Sequence, residues 1–289
     1  MKRPYRATAI LLIGLLASGA SLMAPCAAQG VLRLPLKRLL PFPVTTIQIG
    51  GRTLDVGVDT GGEGILRLSR QVLVQTGALE LQGATDRTTN AYGESQQVHR
   101  FRVPEVLIAG RVFRNLTADE SPDFQNAPNL QSVAGGLGRG FLQQFVVLLD
   151  YPGGMISLLP PDMTRSETQA AGCHGSQAPL QHTALAGLAI SSVQLDGATL
   201  RLLWDTGAAY STIPTSSAAA HGLKVDPAPG GPPVYDTRRL LLGGVDLGPL
   251  EFAVLPVQLP SEFDGVLGYN LLVHHVVCID YRRGEVRVR

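Results

Sequence analysis

The 289-residue sequence predicts an all-β protein made of two similar lobes. Three observations carry this. A strand-turn-strand stretch ending in Asp-Thr-Gly occurs twice, a second block punctuated by glycines also occurs twice, and helix signals are few and short. Hydrophobic residues make up 45% and charged residues 16% of the chain, with 33 Gly and 20 Pro, which is the composition of a loop-rich globular protein dominated by strands.

Residues 1–28 read as a leader. MKRPYR is basic, an uncharged apolar run follows, and small residues lie around Ala27-Ala28. The pattern is that of a secretory signal cut near Ala28, which implies a periplasmic or secreted protein with no stable membrane association. A retained N-terminal anchor is the rival reading, because the apolar run nearly spans a bilayer. Loss of Lys2, Arg3 and Arg6 leaves 21 basic against 23 acidic residues, and no dense Lys/Arg run remains. That balance argues against nucleic acid as a partner. LRLPLKRLLPFP, 32–43, is either a short activation segment or a first strand.

The first repeat aligns VTTIQIGGRTLDVGVDTG, 44–61, with ISSVQLDGATLRLLWDTG, 190–207, at an offset of 146 without a gap. Gly50-Gly51 and Asp196-Gly197 supply the positive dihedrals of tight hairpins, so each Asp sits where the second strand ends. The second repeat aligns GGLGRGFLQQFVVLLDYPGGMISL from Gly135 with GVLGYNLLVHHVVCIDYRRGEVRV from Gly265, at an offset of 130. The offsets differ by 16, so the first lobe carries that many extra residues. They fall in ATDRTTNAYGESQQVHRFRVPEVLIAGRVF, read as a hairpin with its tip near Tyr92-Gly93. RQVLVQTGA and SSAAAHGL, each closed by glycine, read as short helices after the triplets. The domain reading is therefore signal peptide 1–28, N-terminal lobe 29–160, linker 161–181 and C-terminal lobe 182–289.

A lone Asp at a strand end is usually a turn residue bonded to nearby backbone. Duplication reverses that expectation, because two carboxylates at a lobe junction cost stability without structural return. Asp150 and Asp280 are duplicated too, but Asp-Tyr followed by glycine reads as a turn. His274-His275 reads as one core and one surface residue. Cys173 and Cys278 either form a disulfide or remain a free Cys173 and a buried Cys278; their spacing resembles no zinc site. The triplets lack the further carboxylates of a metal loop and the Gly-Lys-Ser/Thr continuation of a phosphate loop, so no metal and no cofactor is expected.

Two Asp-Thr-Gly triplets, each followed by an apolar-Gly block of the kind seen in DGVLGYNLL, resemble the aspartic peptidases of the pepsin and retropepsin type. The resemblance covers nearly all of the chain after the leader. It is strong in the second lobe and weaker in the first, where Gly62-Glu63-Gly64 and GGLGRGFL depart from the usual pattern. It implies two lobes related by a pseudo-twofold axis, a cleft between them for an extended polypeptide substrate, and a single-chain monomer acting as an internal pseudo-dimer. Asp59 and Asp205 then carry catalysis. Thr60 and Thr206 take the place of interlocked threonines at the lobe junction, and Gly61 and Gly207 let backbone approach the carboxylates. Tyr92 and Gly93 take the place of a substrate flap, an exposed loop tyrosine being the alternative. The resemblance also places Gly62 and Ala208 where relatives often carry a hydroxyl that donates to the catalytic carboxylate, so a less acidic dyad is expected. The implied activity is an endopeptidase; the alternative is a non-catalytic peptide-binding protein using the same cleft.

Overall fold

Each triplet ends a hairpin. In the computed structural model, which describes residues 30–89, 95–121, 132–181, 183 and 187–289 (side chains of 38–39, 82–89 and 95–96 apart), β3 (Phe42–Ile49) and β4 (Arg52–Val58) pair antiparallel from Val44↔Gly57 to Ile49↔Arg52. β13 (Ile190–Leu195) and β14 (Ala198–Trp204) pair in the same way from Ile190↔Leu203 to Leu195↔Ala198. The turns bend as their residues dictate, with φ of 56° and 75° at Gly50-Gly51 and 48° and 101° at Asp196-Gly197. The leader lies outside the described residues.

Around the first hairpin stand β5 (Leu66–Leu68), β6 (Leu79–Thr89), β7 (Ser95–Ile108), β8 (Arg111–Glu120) and β9 (Gly135–Leu137). With β2 (Lys37–Leu40) they form an eight-stranded sheet of order β2-β3-β4-β9-β5-β8-β7-β6. β3 also pairs β7, so the strands from β3 to β7 close on themselves. The expected long hairpin is β6 and β7, whose pairing runs to Thr89↔Ser95; residues 90–94, Tyr92 and Gly93 among them, lie outside the described residues.

The second eight-stranded sheet adds β15 (Thr212–Pro214), β16 (Val234–Thr237), β17 (Leu240–Leu242), β18 (Val245–Asp246), β19 (Leu250–Leu255) and β20 (Gly265–Leu267) to the second hairpin, in the order β16-β19-β15-β20-β14-β13-β17-β18. In both sheets the strand that ends in the triplet lies parallel to a glycine-led strand, β4 to β9 and β14 to β20. α1 (Arg70–Gln75) and α4 (Thr215–Ala220) follow the triplets as expected, the first capped by Ser69.

A third sheet, of six strands, draws on both halves. Its centre is β10 (Val146–Asp150) against β21 (Val276–Asp280), flanked by β11 (Met155–Leu159) and β1 (Leu32–Pro35) on one side and β22 (Glu285–Val288) and β12 (Ser176–Pro179) on the other. β1 buries Leu32 and Leu34 and pairs β11 over four residues, so this stretch is a first strand of the fold. Residues 161–181, read as a linker, fold as α3 (Arg165–Ala170), closed at its start by a Thr164/Glu167 capping box, followed by β12. Asp150 and Asp280 are turn residues: their Oδ1 atoms accept from Gly153 N at 2.7 Å and Arg283 N at 2.9 Å. His274 is exposed and His275 half-buried.

Cys173, just after α3, is bonded to Cys278 of β21, with Cα atoms 5.3 Å apart. The bond closes a loop across 105 residues and ties the connecting segment to the middle of the shared sheet. Opening a loop of that length is expected to cost about 2–5 kcal/mol and to lower Tm by roughly 5–15 °C. Thermal melts of Cys173→Ser and Cys278→Ser measure this; a wild-type Tm in both would show that the sheet holds the segment unaided.

Candidate active site

The two triplets meet. Asp59 N donates to Leu137 O at 2.9 Å and Asp205 N to Leu267 O at 3.0 Å, so each aspartate continues its strand by one more bond to the parallel neighbour. The chain then turns back on the carboxyl. Asp59 Oδ1 accepts from Gly61 N at 3.0 Å and Gly62 N at 2.7 Å, and Asp205 Oδ1 accepts from Gly207 N at 2.9 Å.

Thr60 and Thr206, both fully buried, lock the loops together. Thr60 N donates to Thr206 Oγ1 at 2.9 Å while Thr206 N donates to Thr60 Oγ1 at 3.0 Å. Each hydroxyl in turn donates across the junction, Thr60 to Trp204 O at 2.7 Å and Thr206 to Val58 O at 2.6 Å. A valine-shaped residue fills the same volume but provides neither acceptor nor donor, which leaves four backbone groups to be satisfied elsewhere.

That lock sets the carboxyl groups of Asp59 and Asp205 in hydrogen-bond contact with each other. A Cβ on Gly61 would stand 2.5 Å from Asp205 Cγ, and one on Gly207 2.6 Å from Asp59 Cγ, so the glycines expected to admit close approach do so against the opposite aspartate. Gly62 is more than a position without a hydroxyl: a Cβ there would fall 2.3 Å from Asp59 Oδ2. Its amide is the donor instead. Ala208 is fully buried in an apolar cluster with Leu188, Ile190, Leu203, Val257, Phe263 and Val266.

Burial pushes both carboxyls up. For Asp205, which is almost wholly buried, the negative charge of Asp59 adds to burial, and its carboxyl is held well above the ordinary range. For Asp59 burial is opposed by the Arg67 guanidinium and by the Gly62 and Gly61 amides, so it is raised less. The pair therefore holds one proton between the two carboxyls.

The flanks of the two halves differ. Beside Asp59, Arg139 Nη1 donates to Gly61 O at 3.0 Å and Nη2 to Glu63 at 3.2 Å, from the first turn of α2 (Arg139–Leu142). In α5 (Tyr269–Leu272) the position matching Arg139 is Tyr269, whose ring stacks edge-on against Tyr151 at 5.7 Å. Tyr151 and Tyr281, the tyrosines of the duplicated Asp-Tyr turns, lie close enough to the dyad for its charge to add to burial in raising both phenols. Their sequence signal was the repeat itself.

Residue alternation assigns the face that bears the aspartates. Val56, Val58, Leu66, Leu68, Ala118 and Leu137 belong to the main core, so Gly57, Arg67, Asp119 and Gly136 lie on the opposite face, the one to which Asp59 belongs. Strand pairing sets them in one row, Gly57↔Gly136↔Arg67↔Asp119↔Arg100. In the C-terminal half the same five strand positions are Leu203↔Val266↔Thr212↔Ala253↔Val234. Arg67 is the functional candidate that reading the sequence missed.

Residues 191–271, which carry the second triplet and the glycine-led block after it, match the aspartyl protease family model. No curated protein matches the chain. The family match, over a stretch that contributes Asp205, Thr206 and Gly207 to this site, supports an aspartic protease and with it hydrolase chemistry on polypeptides.

Proposed function

We propose that the chain is a two-lobed aspartic endopeptidase of the pepsin/retropepsin type, acting on extended polypeptide in an exported compartment. The observation that carries this is the carboxyl-to-carboxyl contact of Asp59 and Asp205 at the ends of two equivalent hairpins. Five matching strands on each side support a pseudo-twofold relation between an N-terminal lobe, 29–160, and a C-terminal lobe, 182–289, with 161–181 connecting them. The leader composition and the Cys173–Cys278 bond favour export. In this reading the β6–β7 hairpin is the flap, with Tyr92-Gly93 at its tip.

The chemistry follows from the unequal carboxyls. A water between them loses a proton to ionised Asp59 as its oxygen adds to the scissile carbonyl carbon, and Asp205 gives its proton to the carbonyl oxygen. The gem-diol collapses when Asp59 passes its proton to the departing nitrogen and Asp205 recovers one from a hydroxyl. Thr60 and Thr206 keep the loops from spreading, and the Gly61 and Gly62 amides favour the charged form of Asp59.

Incubation of the purified chain with an unfolded protein tests the proposal: internal cleavage is expected, and binding without cleavage would favour the peptide-binding alternative. The pH profile tests the shared proton. Below the lower of the pair's two values both carboxyls are protonated and no base remains; above the higher value both are ionised and no acid remains. The acid limb of kcat/KM is thus expected above the ordinary aspartate value of about 3.9, with activity extending through mildly acidic pH. A limb at or below that value would contradict the burial argument.

A further inference from the structure

Within the peptidase reading, we infer that Arg139 is a positioning residue for the reaction: by donating to the carbonyl of Gly61 it holds and polarises the peptide group whose N–H, that of Gly62, donates to the Asp59 carboxylate. The first observation is that both bonds end on one peptide unit. Arg139 Nη1 reaches Gly61 O at 3.0 Å, and Gly62 N reaches Asp59 Oδ1 at 2.7 Å. The C=O and N–H of a trans peptide share a plane and point in opposite directions, so a guanidinium fixed at one end determines where the other end aims. Hydrogen bonds joined head to tail also polarise one another, more strongly away from water. The guanidinium thus acts on Asp59 through a strengthened donor, and the Gly62 bond is the shorter of the two that this carboxyl accepts from its own loop.

The second observation is that this loop needs holding. Gly61-Gly62-Glu63-Gly64 contains three glycines, and the path from Asp59 to Arg67 is one residue longer than that from Asp205 to the matching Thr212. Gly138-Arg139-Gly140 cradles it: the three amides donate to Ile65 O at 3.1 Å, Gly62 O at 2.8 Å and Gly64 O at 2.8 Å. A Cβ on Gly138 would stand 2.4 Å from Glu63 O and one on Gly140 2.6 Å from Gly64 O, so the cradle closes this tightly only around glycines. The Arg139 side chain is 12% exposed, and its Nη2 on Glu63 at 3.2 Å keeps the fork aimed at the loop.

The third observation is that the two halves differ in this side chain while sharing the backbone contact. Tyr269 N donates to Ala208 O at 2.9 Å as Arg139 N does to Gly62 O. The ring of Tyr269 turns to Tyr151 instead of reaching the loop of Asp205. The relay therefore serves Asp59 and favours its charged form over that of Asp205. The other charges and ionisable groups facing Asp59 are Asp205, the Arg67 guanidinium and the phenols of Tyr151 and Tyr281, which burial keeps protonated at any mildly acidic pH.

Carboxyl 13C titrations of the whole, aspartate-labelled protein test the relay without any substrate, and the amide proton of Gly62 is followed in the same samples. In Arg139→Met, which keeps the apolar stem but removes the fork, the lower of the two apparent values of the pair is expected to rise by about half a pH unit or more. The Gly62 amide proton is expected to move upfield as its bond weakens. Arg139→Lys keeps a charge and one donor and is expected to lie between the two, which serves if the methionine variant does not fold. A lower value unchanged from wild type in the variants that fold overturns the proposal, and so does a raised value with the Gly62 amide unmoved, because the charge of Arg139 would then act directly. Cleavage of an unfolded protein decides the peptidase reading separately: a dyad that responds to Arg139 in a chain that cleaves nothing would sink that reading alone.

Discussion

Asp59→Asn and Asp205→Asn are each expected to lower kcat/KM on a peptide substrate by about a thousandfold or more, and the double variant is expected to be scarcely worse than either. The amide is close in shape to the acid, so Gly61 N and Gly62 N keep an acceptor at position 59 and Gly207 N keeps one at position 205. Folding is therefore little disturbed, and unchanged thermal melts provide the control. What disappears is the ability of one member to hold a charge while the other holds the proton. Because both act on a single water, the second substitution has little left to remove. Most of the wild-type rate in either single variant would rule out a mechanism in which the two carboxyls share that water.

Much of this site is legible in the sequence because repetition is visible without a structure. The triplets, their tight turns and the glycine-led blocks were all placed by two offsets, and pairing has borne out the hairpins and the short helices. Arg67 was hidden by the same arithmetic. A constant offset of 146 sets Leu66 against Thr212, but the sheets set Arg67 against Thr212, since Arg67 pairs Gly136 where Thr212 pairs Val266. The helices that follow agree with the sheets: α1 begins at Arg70 and α4 at Thr215. One of the 16 extra residues of the N-terminal half thus lies in the loop after Asp59 and not in the long hairpin. Gly64 in that loop has φ 73°, and a Cβ there would stand 2.8 Å from Asp119 Oδ2. A slip of one residue turns a strand over, so extending that offset past Gly61 would set a buried arginine on the core face when it belongs to the other. The local structure of the 161–181 segment is hidden from the sequence for a different reason. Its polar, glycine-containing composition is that of a linker, and nothing local announces that Cys173 will be bonded into β21.

The Asp-Thr-Gly pattern makes its strongest demand at the glycines, and Gly61→Ala and Gly207→Ala are expected to cost about a hundredfold in kcat/KM each. Every such glycine serves both halves. The amide of Gly61 holds Asp59 at 3.0 Å while its α-carbon faces Asp205, and the amide of Gly207 holds Asp205 at 2.9 Å while its α-carbon faces Asp59. A methyl group 2.5–2.6 Å from a carboxyl carbon cannot be accommodated in place. Either the opposite carboxyl rotates out of reach of its partner, or the loop withdraws and loosens the Thr60/Thr206 lock. Both responses separate the two acids, which weakens the influence of the Asp59 charge on Asp205. The basic limb of the pH profile should accordingly move to lower pH, because Asp205 then gives up its proton more readily. The mutation is expected to cost the fold only about 1–3 kcal/mol, as an overpacked core site does. Gly231→Ala, at an exposed position where an added Cβ meets nothing within 4 Å, provides the matched control and should keep both rate and profile. If Gly61→Ala and Gly207→Ala behaved like that control, the carboxyls would have to lie farther apart in the working enzyme than the contact between Asp59 and Asp205 allows.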